Sequence, residues 1–148
     1  MKKLLLLLLG LLPLAFGYGL NALMLGACYD VALPYGWIGV GMLAVWFLFG
    51  MLSRPLGDSA FQAVLVAHVP ALIALALLLY QEWFLGRCWL NVFGMATQMF
   101  YLPLVNLAAK IAFFASAMPA IYAVAFALLF AVFRLGGALR NHAKKQRA

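Results

Sequence analysis

Glu82–Lys110, EWFLGRCWLNVFGMATQMFYLPLVNLAAK, is the stretch that decides the layout of the chain, because whether it crosses a bilayer fixes the side of everything that follows. Around it the sequence is strongly apolar: 69% of residues are hydrophobic and 9% charged, with a mean hydropathy of +1.10. Soluble domains average about 45 to 50% apolar and about 25% charged, so this is a chain solvated by lipid. The net charge of +7 does not point to nucleic acid. Its basic residues collect at the two ends, Lys2 and Lys3 at one and Arg134, Arg140, Lys144, Lys145 and Arg147 at the other. That distribution suits flanks facing anionic lipid rather than a face that tracks phosphates.

Apart from His, the ionisable residues divide the chain into five long uncharged spans: 4–29, 31–53, 59–81, 88–109 and 111–133. Each is long enough, at about 1.5 Å per residue, to cross about 30 Å of hydrocarbon. Span 88–109 differs from the others in carrying Asn91, Gly94, Thr97, Gln98, Pro103 and Asn106. On a helical wheel Asn91, Gly94, Gln98, Tyr101 and Asn106 share one arc, and Phe93, Met99, Phe100 and Leu104 lie mostly off it. Such a helix suits the membrane interface, with Pro103 interrupting it.

Charge counting agrees. Four crossings with a cytoplasmic N-terminus put Lys2, Lys3, Arg54 and the five C-terminal basic residues inside, and Arg87 and Lys110 outside, eight against two. Five crossings give four against six with the N-terminus inside, or six against four with it outside. The positive-inside rule selects four. Tyr29, Tyr35, Trp37, Tyr80, Trp83, Trp89 and Tyr101 then fall in or beside the two outer loops, the level that Trp and Tyr prefer. The expected fold is an all-α integral membrane protein, a four-transmembrane-helix bundle with an interfacial or re-entrant helix in the second outer loop. Helices are expected at about 4–27, 36–53, 59–81 and 111–133, with an interfacial segment at 82–110 and a basic cytoplasmic tail at 134–148, all in one domain.

The N-terminus carries features of a secretory signal, with a Lys pair, a Leu run and an Ala15-Phe16-Gly17 end. Leu25-Gly26-Ala27-Cys28 approximates a lipoprotein signal. Apolar character continues beyond a usual signal core, which favours an uncleaved first helix. Small residues at Gly36, Gly39 and Gly41, at Ala63, Ala67 and Ala71, and at Ser116, Ala120, Ala123, Ala127 and Ala131 mark faces for close helix packing, or alternatively for a homo-oligomer. Arg54-Pro55-Leu56-Gly57-Asp58-Ser59 reads as a tight hairpin, with Asp58 or Ser59 capping the next helix and Arg54 within reach of Asp58.

His68 is the polar residue that stands out inside the membrane, nine residues into its helix and about 14 Å from the inner edge. Intramembrane ionisable groups are costly and therefore candidate sites. Tyr122, Trp46 and Tyr18 come to a similar depth, and Pro70 frees a carbonyl at Val66 for a hydroxyl or imidazole. The blander expectation is a neutral His making one interhelical hydrogen bond. Nothing at its depth completes a metal site. Cys28 and Cys88 both fall on the outer face, where a disulfide or two free thiols are open alternatives. Trp89, Asn91, Gln98 and Tyr101 are expected to line or cover the outer mouth of the bundle.

Four helices with a flat helix in the second outer loop resemble the membrane disulfide-generating oxidoreductases in architecture. That family's chemistry implies a Cys-x-x-Cys pair passing electrons to a quinone, whereas each outer loop here has one Cys. No catalytic, phosphate-binding or cofactor motif appears, and no cofactor is expected. The expected role is non-enzymatic: membrane-embedded interaction, as an accessory subunit or immunity-type protein of a bacterial inner membrane, with a membrane protein partner or a second copy. Two alternatives stand beside it. One is a carrier or binding subunit for a small, partly apolar compound, touched by His68, Tyr122 and Gln98; the other is a thiol/disulfide oxidoreductase of the outer face.

Overall fold

In lipid an uncharged apolar run can satisfy its own backbone only as a helix, and a computed structural model of the chain is all-helical among its described residues, 1–26, 32–57, 59–87, 89–113 and 117–145. Its elements are α1 (Lys2–Gly10), α2 (Leu12–Leu25), α3 (Tyr35–Ser53), a 3-10 turn (Arg54–Leu56), α4 (Ala60–Trp83), α5 (Val92–Ile111) and α6 (Met118–Lys145). Among the described residues, five stretches are long and apolar enough to cross a membrane: Lys2–Leu25, Tyr35–Ser53, Phe61–Trp83, Val92–Ile111 and Met118–Arg140.

Three boundaries differ from the sequence expectation, and prolines explain two of them. The first helix breaks at Leu11, because Pro13 has no N–H for the carbonyl of Leu9. The chain adjusts with 3-10-type bonds from Leu11 N to Leu8 O and from Leu14 N to Leu11 O, at 3.1 and 3.0 Å. The last helix starts at Met118 rather than 111, with Pro119 in the first turn, where a missing N–H costs nothing. It continues as helix to Lys145, so most of the expected tail is an extension of α6. Lys110, expected in a loop, sits instead in the last turn of α5. There its charge complements the negative end of the helix dipole.

Pro103 does not interrupt α5, which runs through it unbroken. The carbonyl that Pro103 leaves without a donor is that of Met99, and Gly17 of α2 is pressed against it. The same device recurs across the bundle. Gly10 abuts the Ala67 carbonyl, Gly50 that of Phe133 and Gly136 that of Phe47, each with no room for a Cβ. No hydrophobic force draws helices together in lipid, so contacts this close hold the bundle by packing and weak Cα–H···O bonds.

The small-residue faces are only partly where the sequence put them. Ala63, Ala67 and Ala71 are buried, as expected of a packing face. Ala123, Ala127 and Ala131 point outward, and α6 buries Ala125, Leu129, Phe133, Gly136 and Gly137 instead.

The α3–α4 hairpin orients everything else. Ser59 caps α4 by accepting from Gln62 N–H at 3.0 Å. α6 runs in the same direction as α3: Phe133 lies beside Trp46, Gly137 beside Gly50, and Arg140 donates to the carbonyls of Met51 and Leu52 at 2.7 and 3.3 Å. α5 packs on α2, α3, α4 and α6. It begins beside the last turn of α4, where Trp89 N–H donates to Gln81 Oε1 at 2.8 Å. It ends against the first turn of α3, where Asn106 and Lys110 lie beside Gly36. Those are the ends of α3 and α4 away from their hairpin.

Candidate functional site

His68 is 3% exposed and closed in by rings. Trp46, Phe126, Phe130 and Phe133 stand edge-on around it, at centroid distances of 5.8, 6.3, 5.3 and 5.2 Å. The Trp46 indole N–H donates to His68 Nε2 at 3.4 Å. An indole has no acceptor, so Nε2 carries the lone pair and Nδ1 the proton, which it donates to Val64 O at 2.7 Å. The carbonyl used is that of Val64, one turn back on the same helix, and not the Val66 carbonyl freed by Pro70. Both ring nitrogens of His68 are thus engaged within the bundle, and the bond to Trp46 ties α4 to α3.

Of its expected companions, Trp46 is the one bonded to it. Tyr122 stands one turn from Phe126 with its ring 5.9 Å from Tyr101. Tyr18 is 40% exposed on α2 and is not among the rings around His68.

The expected outer-mouth residues separate as well. Tyr101 is not on a surface: it is fully buried and its hydroxyl donates to Ala71 O at 2.6 Å, bonding the middle of α5 to α4. Asn91 caps α5 by accepting from Gly94 N–H at 2.9 Å. Gln98 is half-buried on α5, and Trp89 is half-buried with its ring 6.4 Å from Tyr80. The wheel misassigned α5 because its bundle side also takes Phe100, Leu104 and Ala108, so four neighbouring helices rather than polarity decide what is buried. Cys28 and Cys88, with any bond between them, lie outside the described residues, as do Asp58 and the Arg54 side chain.

Two features escaped the sequence reading. One is Gln81, fully buried at the end of α4. Its side-chain oxygen accepts from Trp89 N–H, its backbone oxygen accepts from Arg87 N–H at 3.3 Å, and its Nε2 has no hydrogen-bond partner among the described residues. Gln81 thereby bonds to two residues of the α4–α5 connection, which turns at Gly86 (φ 60°), a backbone state that suits glycine. In and beside that connection Trp83, Phe84, Leu90, Val92 and Phe93 are 69 to 93% exposed.

The other is a groove of about 730 Å³ between α2 and α3. Leu12, Ala15, Phe16, Gly19, Leu20 and Leu23 form one wall, Ile38, Gly41, Met42 and Val45 the other, and Pro103 of α5 closes the back. Every lining residue is apolar, so no polar or ionisable pattern in the sequence marked it. No known family, curated protein or solved structure matches the chain.

Proposed function

We propose that this chain is a small multi-pass protein of a bacterial inner membrane that works through membrane-embedded protein interaction, as an accessory subunit or an immunity-type protein. In this reading α1–α2, α3, α4 and α6 cross the bilayer, both termini are cytoplasmic, and α5 is set into the outer half of the bundle without crossing. The eight-to-two charge distribution supports that topology. So do the contacts of α5, whose two ends meet the last turn of α4 and the first turn of α3.

The observation that carries the functional reading is the exposed rim of Trp83, Phe84, Leu90, Val92 and Phe93. It sits at or beyond the end of α4, where lipid gives way to water, and exposed apolar surface of that kind marks an interaction site. The test is co-purification of the tagged protein from its native membrane. A partner recovered with wild type is expected to be lost with Leu90→Ser/Phe93→Ser and kept with Leu72→Ser/Ile73→Ser, a pair exposed on α4. Recovery of the chain alone, or equal loss in both variants, overturns the reading.

The carrier alternative has the α2–α3 groove in its favour, but the polar contacts expected for it do not open there: His68 is sealed among rings and Tyr122 lies beside Tyr101. The oxidoreductase alternative rests on Cys28 and Cys88 alone.

A further inference from the structure

The α2–α3 groove carries an inference of its own, which uses the membrane reading but not the rim. Its longer wall, Leu12 to Leu23, is about 16 Å long at about 1.5 Å per residue. That is one leaflet, half of about 30 Å of hydrocarbon. It starts where α2 breaks from α1 and runs toward the outer end. Below the break α1 packs on α4, with Leu6 and Gly10 buried. A partner's transmembrane helix continues through both leaflets, whereas a hydrocarbon chain ends at the midplane.

The lining suits a hydrocarbon chain in its chemistry as well, since every residue in it is apolar. The walls offer it no donor or acceptor side chain, and at the back Pro103 has no N–H. Met42 adds an adaptable surface.

The glycines distinguish this groove from the helix contacts of the same bundle. Gly10, Gly17, Gly50 and Gly136 press on a neighbour's backbone, but a Cβ at Gly19 or Gly41 meets nothing within 4 Å. Those two glycines deepen a space instead of closing a contact. We propose that the α2–α3 groove is a lateral binding site for one acyl chain of an outer-leaflet membrane lipid.

Native mass spectrometry of the detergent-purified chain tests this. Wild type is expected to retain one lipid. Gly19→Leu/Gly41→Leu fills open space, so it is expected to keep the wild-type unfolding midpoint while lipid occupancy falls about tenfold. Occupancy equal to wild type, or a wild type that holds no lipid, overturns the proposal. A photoreactive diazirine side chain at Val45, activated in native membranes, gives a second measurement that does not depend on the variant. A lipid adduct that survives with the folded chain is expected. A protein adduct at Val45 overturns the acyl-chain assignment and points to a helix in the groove, while the rim experiment stands or falls separately.

Discussion

At the scale of single residues, His68 shows how a polar group visible in the sequence takes its surroundings from distant parts of the chain. His68 was legible in the sequence as a costly group near mid-helix, but the rings that enclose it come from α3 and α6, far away in sequence. Its bond to Trp46 is long, at 3.4 Å, so the coupling is expected not to exceed the average for interhelical bonds in membranes, about 0.6 kcal/mol. The larger quantity is what a broken pair leaves behind. His68→Leu strands the Trp46 indole N–H in a core where Trp46 is 1% exposed, a cost of about 1 to 3 kcal/mol. Trp46→Phe in the same background removes the stranded donor. Unfolding measured in lipid–detergent micelles is therefore expected to give a double variant less destabilised than the sum of the singles. Strict additivity shows that the two side chains do not interact.

At the scale of elements, the crossing-length apolar runs could be read from composition, and the contacts could not, because helices in lipid are matched by backbone approach. Gly17 illustrates the gap. Nothing in the sequence distinguishes it from Gly19, yet one is pressed against the Met99 carbonyl freed by Pro103 and the other faces open space. Gly17→Leu is expected to cost about 3 kcal/mol or more by forcing α2 off α5, and Gly19→Leu to stay within about 0.5 kcal/mol of wild type. Equal effects in the same unfolding assay show that the α2–α5 contact is not set at Gly17. Tyr101 makes the parallel point for α5. Its hydroxyl looked like part of a polar outward arc and is instead a bond to Ala71 of α4. That carbonyl keeps its own helical partner, so Tyr101→Phe orphans nothing and is expected to cost about 1 kcal/mol. A loss several times larger indicates that α5 depends on that one bond for its seat.

For the molecule as a whole, the open question is the one posed by Glu82–Lys110, since α5 has the length and apolarity of a crossing helix and the contacts of a crossbar. Length alone argues for five crossings. Against it stand the charge distribution, which five crossings spoil in either orientation, and the geometry of the α3–α4 hairpin. The hairpin holds one end of each helix together, so the last turn of α4 and the first turn of α3 belong to one side, and α5 reaches from one to the other. A helix that bridges two such ends needs no second face of the membrane. Its depth in the bundle, with Tyr101 and Leu104 buried, fits one helix laid obliquely between α3 and α4. Arg87 and Lys110 bracket α5 and both are exposed, so they report its two ends directly. With Cys28 and Cys88 replaced by Ser, Arg87→Cys and Lys110→Cys are each expected to react with a membrane-impermeant thiol reagent added to intact spheroplasts. A Cys at Arg140 is expected to react only after the membrane is opened. If Arg87→Cys is labelled from outside and Lys110→Cys only from inside, α5 crosses, the C-terminal basic cluster moves to the outer face, and the four-crossing topology is wrong.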